Sequence, residues 1–143
     1  DAGALEFWVS VGRNDGGGMV PVLTSLQQLY RDLPWARVVP QSWQDWPSFR
    51  RTVAHMDLLL MVSMTETFNV VSADGISQGV ASVVSDAIDW APLHWQAHID
   101  DAFDVARVGR QLLSDHRAAQ DGLQALTRHN HDGLRAWRTY LEG

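Results

Sequence analysis

The run Leu58-Leu59-Leu60-Met61-Val62 narrows the choice of fold more than any other feature of this chain. Five successive apolar residues have the length of a strand and are apolar on both of its alternating faces. A strand of that kind needs cover above and below, as an inner strand of a parallel sheet has when helices flank it. The neighbouring segments offer that cover. Ser48 is placed to cap a helix running to about Met56, with Phe49 and Val53 facing inward, and Phe68 to Gln78 reads as a second helix with Gly79 as its C-cap.

The same alternation extends outward. Leu5 to Val11 is expected to be a strand, Gly12 to Gly18 a glycine-rich loop, and Val20 to Asp32 a helix stopped by Pro34. Ala36 to Pro40 is a second strand, Asp57 to Met64 the third, and Ala81 to Ser85 the fourth. Leu93 to Asp100 reads as a short fifth strand. Three helices follow, over about Asp101 to Leu113, Ser114 or Asp115 to about His129, and Asp132 to Leu141. The fold class expected is α/β: a Rossmann-like parallel sheet of about four to six strands, helices on both faces, and a helical C-terminal tail. Ligands of such sheets bind beyond the carboxyl ends of the strands. The loops to inspect are therefore Gly12–Gly18, Pro40–Pro47, Thr65–Thr67 and Ser85–Pro92.

Composition closes off several function classes. The net charge is −6 and no Lys/Arg-rich run occurs, which argues against nucleic acid as a partner. No apolar stretch reaches the roughly 18 residues of a transmembrane helix. Cysteine is absent, so disulfides and thiolate metal sites are out, and a cytoplasmic location is expected. His94 and His98 have i,i+4 spacing without the third ligand and nearby Glu of a zinc motif, so no metal is expected. Gly16-Gly17-Gly18 lacks the Lys-Ser/Thr of a P-loop. With 143 residues, residues 1–143 are read as a single domain. A strand expected so soon after Asp1 reads as a piece cut at a domain boundary.

The chemistry concentrates in Ser63-Met64-Thr65-Glu66-Thr67-Phe68-Asn69-Val70-Val71-Ser72-Ala73-Asp74-Gly75. A buried strand enters a helix through a short acidic loop. Helix N-termini present free N–H groups and partial positive charge, which suits phosphate. Glu66 precedes the helix, and Asp74 lies roughly 9 Å along it at ~1.5 Å per residue. Each carboxylate can accept hydrogen bonds from adjacent hydroxyls. Two sugar clamps around a phosphate cradle match a sugar–diphosphate–ribose. The plain alternative is a dipole contact for Glu66 and a solvated helix residue at Asp74.

About thirty contiguous residues, Asp57 through Asp86, resemble the signature of retaining GT-B glycosyltransferases, especially the GT4-like group. There a strand ends in Ser-x-x-Glu-Ser/Pro-Phe-Gly, a second acid follows eight positions after the first, and Gly-Val-Pro-Val-Val-Ala-Ser comes next. Glu66 matches the first acid, Asp74 the second, and Gly79 to Asp86 the last segment. Val11-Gly12-Arg13 and the final helices with Trp137 match more weakly.

The resemblance implies a donor-binding domain for a UDP- or GDP-type nucleotide sugar, without a cofactor. Glu66 would be the catalytic-site acid holding hydroxyls of the transferred sugar. The N–H groups of Phe68, Asn69 and Val70, beside Thr67, would take sugar and diphosphate. Asp74 would hold the ribose and Arg13 would neutralise the diphosphate. The family's Lys is Met19 here, Asp74 replaces the usual Glu, Asn69 the usual Gly, and Ala81 the usual Pro. One strand–helix unit between Val39 and Asp57 is also missing from the expected pattern. A sugar, lipid or protein acceptor would belong to an N-terminal domain absent from this chain, with the parent enzyme cytoplasmic or peripheral at the inner face of a membrane. Two alternatives are a catalytically inactive nucleotide-sugar-binding module and an epimerase-like domain. Arg50-Arg51 is either a solvated helix face or a substitute phosphate contact for the missing Lys. Trp43 and Trp90, in strand-end loops, either pack or stack on a ligand.

Overall fold

The computed structural model describes residues 5–10 and 20–143. They fall into two compact units, Asp1–Trp46 and Pro47–Gly143. The architecture is mixed α/β, with all strand pairs parallel.

In the first unit, strand β1 (Leu5–Ser10) pairs with β2 (Ala36–Gln41) in the register Leu5↔Ala36 to Ser10↔Gln41, and helix α1 (Val20–Tyr30) is the crossover. Pro40 has no N–H to give a further neighbour, which suits β2 to an edge. Phe7 meets Tyr30 with ring centroids 5.0 Å apart. Glu6 accepts from Trp8 Nε1 at 2.9 Å and is bridged by Arg37 across the ladder. Ala36 is the only buried residue among those described in this unit.

The second unit holds the core. Helix α2 (Trp46–Val53) begins at the division between the units; β3 (Leu59–Met61), α3 (Val70–Ser77), β4 (Ser82–Val84), a 3₁₀ turn (Leu93–Trp95), α4 (Ala102–Ser114) and α5 (Ala118–Glu142) follow. Strands β3 and β4 pair from Leu59↔Ser82 to Met61↔Val84. Ile76, Val83, Val84, Ile88, Trp90, Trp95, Val108 and Leu112 form one buried cluster. Asp101 caps α4 by accepting from Phe103 and Asp104 N–H groups at 2.9 and 3.2 Å. Val108 and Leu112, four apart, then lie on its inner face.

Several expectations need correction. Among the described residues there are two two-stranded sheets, not one sheet of four to six strands. β3 and β4 each pair over only three residues, so the apolar run at 58–62 is strand at Leu59–Met61 and loop at its two ends. The fifth strand is instead the 3₁₀ turn followed by a single bridge, Val84↔Gln96, closed by Ala97 N–H donating to Val84 O at 2.9 Å. The 3₁₀ turn through Trp95 on one side, and on the other the turn closed by Asp101 N–H donating to His98 O at 3.0 Å, confine the pairing to that bridge. Ser48 lies inside α2 and does not cap it; Pro47, with its fixed φ, sits in the first turn. The two helices expected after Asp115 are one, α5, because no proline interrupts it and Arg135 pairs with Asp132 across one turn at 3.3 Å. No helix among the described residues is long and apolar enough to cross a membrane.

Two glycines set this geometry. Gly79 takes φ +83°, the left-handed conformation that ends α3, and Val80 N–H returns to Gly75 O at 2.9 Å. At Gly122, a Cβ would come within 2.6 Å of Trp95 Cζ2 and 2.7 Å of Ile76 Cδ1. Only a bare backbone lets α5 lie this close to the fully buried Trp95.

Candidate functional site

The junction of β3 with α3 carries the sequence-derived candidates. Helix α3 starts at Val70, two residues later than the periodicity predicts, because Asn69 is its cap. Asn69 adopts φ 59°, ψ 82°, in the left-handed region. Glycine tolerates that region freely and Asn better than other side chains, so Asn here keeps the backbone that Gly would give. Its side chain has two uses. Oδ1 accepts the Ser72 N–H at 2.8 Å, and Nδ2 donates to Glu66 Oε1 at 2.9 Å.

Ser63 Oγ donates to the same Glu66 oxygen at 3.0 Å. One oxygen of Glu66 thus takes two donors, orienting a half-exposed carboxylate at the helix start. Ser63 is fixed in turn, its carbonyl accepting from the buried Ser85 at the end of β4. The Phe68 carbonyl accepts from Trp90 Nε1. The Phe68 ring lies 5.8 Å from Trp90 and 5.7 Å from His129 of α5, centroid to centroid. The loop is therefore anchored by β4, by the Trp90 loop and by α5, leaving Thr67 and Val70 exposed.

Asp74 lies on α3 with Arg50 of α2 beside it, Nε to Oδ1 3.9 Å, while Arg50 also donates to Ser77 Oγ at 3.1 Å. The Asp74 side chain is only 13% exposed. The structure thus brings Glu66 and Asn69 together, sets Phe68 behind them as a packing residue, and places Asp74 with Arg50. Arg13, like Met19, lies outside the described residues.

Ser63 and Ser85 join the set from structure, which also gives Arg50, weighed in sequence as a phosphate contact, its partners Asp74 and Ser77. The spacing Ser63–Glu66–Asn69 was the available signal for the first, since three-residue offsets around a helix start are capping distances. Ser85 and the Asp74 partner of Arg50 lie 22 and 24 residues from the groups they meet, and no local pattern announces either contact. Trp90 is 5% exposed and belongs to the core, whereas Trp43 is 55% exposed.

A separate groove of about 690 Å³ opens past the end of β4, between Asp86, Gln96, His98, Asp101, Asp104 and Arg107. Arg107 is tied to Asp104 at 2.7 Å, and Asp100 also lines the groove. The surplus of acids there repels a diphosphate. The hydrogen bond from His98 N–H, followed by that from Arg107, lowers the Asp104 pKa. Comparison of the chain with protein-family models, with curated proteins and with solved structures finds no match.

Proposed function

We propose that this chain is the donor-binding domain of a hexosyl-transferring glycosyltransferase of the GT-B type, with a nucleotide diphosphate sugar bound at the β3–α3 junction. The observation that carries this reading is the oriented Glu66 carboxylate at the start of a capped helix. One Glu66 oxygen is occupied by Ser63 and Asn69, and the carboxylate has about four lone-pair positions, so hydroxyls of a sugar can be accepted at the rest. The start of α3 supplies partial positive charge for the diphosphate. In this reading Thr67, Phe68, Asn69 and Val70 surround the sugar and diphosphate, Asp74 accepts ribose hydroxyls, and Arg50 balances charge; the further charge that the resemblance assigns to Arg13 lies outside the described residues. Acceptor binding and transfer belong to a further domain.

A catalytically inactive nucleotide-sugar-binding module is the second reading. It is favoured by Arg50, whose guanidinium already lies against Asp74, and by Met19 in place of a phosphate-binding Lys. A thermal-shift panel tests both. UDP- and GDP-sugars are expected to raise the melting temperature, whereas inorganic phosphate and FMN leave it unchanged. A ligand at 100 times its Kd adds about 2.7 kcal/mol of stability. A shift with FMN or phosphate alone, or none with any nucleotide sugar, refutes the assignment.

A further inference from the structure

We propose that His94, Asp115 and Asp121 form a binding site for a divalent transition-metal ion of the zinc class. One ligand atom from each of the three lies within 4.8 Å of the others. His94 Nε2 stands 3.8 Å from Asp121 Oδ2, beyond hydrogen-bond reach. Two ligands sharing a tetrahedral zinc ion at about 2.0–2.2 Å sit roughly 3.4 Å apart, so the His94–Asp121 pair needs only a small inward movement to reach that spacing. His94 Nε2 is shielded from solvent and has no hydrogen-bond partner among the described residues. A ring nitrogen shielded from solvent, with a carboxylate 3.8 Å away and no hydrogen bond, is a donor that a cation shared with that carboxylate would satisfy.

The three residues come from different elements, and packing fixes each. Trp95, fully buried, is held against Gly122 of α5. Their sequence neighbours, His94 and Asp121, are thereby brought face to face. Asp115 closes the joint between α4 and α5; its Oδ1 accepts the Arg117 N–H at 2.8 Å and its carbonyl accepts the Ala118 N–H at 3.1 Å. That bond orients the carboxylate and leaves lone pairs for a metal. One neutral imidazole and two carboxylates carry −2, which balances a divalent ion. The nitrogen ligand selects zinc and its neighbours over magnesium and calcium, which take oxygen sets. Three protein ligands leave a fourth tetrahedral position for water or an added ligand. The site shares no residue with the β3–α3 junction, and bound metal would tie the 3₁₀ turn to the α4–α5 joint.

Calorimetric titration of the full chain with Zn²⁺, paired with Co²⁺ absorption, tests the site. One Zn²⁺ per chain is expected, with visible Co²⁺ bands of tetrahedral intensity and far weaker Mg²⁺ binding. His94→Ala and the near-isosteric Asp121→Asn should each weaken Zn²⁺ at least tenfold, and His116→Ala, on an exposed neighbour, should leave affinity unchanged. Circular dichroism checks that the variants fold, and Asp121→Asn decides if His94→Ala does not. No saturable Zn²⁺ binding, equal affinity in wild type and Asp121→Asn, or Mg²⁺ bound as tightly as Zn²⁺ would overturn the proposal.

Discussion

The two units are built from the same kind of part, a parallel strand pair with a helix as crossover, yet among the described residues only Pro47–Gly143 buries a core. In Asp1–Trp46 the six-residue ladder is long but thinly covered, with Leu5 49% and Trp8 41% exposed. In Pro47–Gly143 the ladder is only three residues, and Val83, Val84 and Trp95 are 0% exposed beneath α3, α4 and α5. Hydrogen-bonded strand length and stability are therefore separate quantities here. What α4, α5 and the 3₁₀ turn cover decides the second, because apolar burial is the dominant favourable term. The candidate site is anchored on the well-covered unit.

The largest expected difference follows from that contrast. Trp95→Ala should destabilise the second unit by about 3–5 kcal/mol, since it empties the contact between the 3₁₀ turn, α3 and α5. Urea unfolding followed by circular dichroism measures it. Phe7→Ala in the first unit should cost far less; the aromatic contact with Tyr30 adds about 0.5–1.5 kcal/mol to its area term. Equal losses would mean that burial does not separate the units. Asn69→Ala comes next, at about 1–2 kcal/mol, because it removes a cap and strains a left-handed backbone. Asn69→Gly keeps the backbone and should cost only a few tenths of a kcal/mol. A melting-temperature comparison of the pair separates backbone strain from the loss of the Glu66 bond.

The smallest effect is one of pH. Glu6 in the first unit is held below its ordinary pKa by the Trp8 N–H and then Arg37. Asp104 in the second is lowered by His98 N–H and then Arg107. A depressed folded pKa contributes stability above the unfolded value, lost as pH falls through the folded one. Both contributions should therefore fade below about pH 4, where ordinary Asp and Glu titrate. Side-chain carboxyl NMR titration should place both midpoints under the ordinary values; midpoints at or above them would remove these bonds from the account.

Local chemistry explains what was legible in sequence. The start of α1 at Val20, the start of β2 at Ala36 and the left-handed Gly79 follow from proline, glycine and apolar spacing within a few residues. The strand–loop–helix path around Glu66 was legible for the same reason. Sheet size was not, because pairing depends on partners distant in the chain and β3 and β4 meet over only three residues. The continuity of α5 was obscured by His129 to Gly133, polar and glycine-containing, which reads as a break unless the Asp132–Arg135 pair is known. His94 next to Asp121 was invisible, because a 27-residue separation is closed only by Trp95 packing on Gly122.

The most direct measurement compares Kd values for a nucleotide sugar and its nucleoside diphosphate in the wild type, Glu66→Gln and Asp74→Asn. Glu66→Gln should abolish most of the preference for the sugar-bearing ligand while diphosphate affinity stays near wild type, and Asp74→Asn should weaken both ligands alike. An unchanged preference in Glu66→Gln, or no affinity of the wild type for either ligand, would contradict a sugar-binding role for the β3–α3 junction.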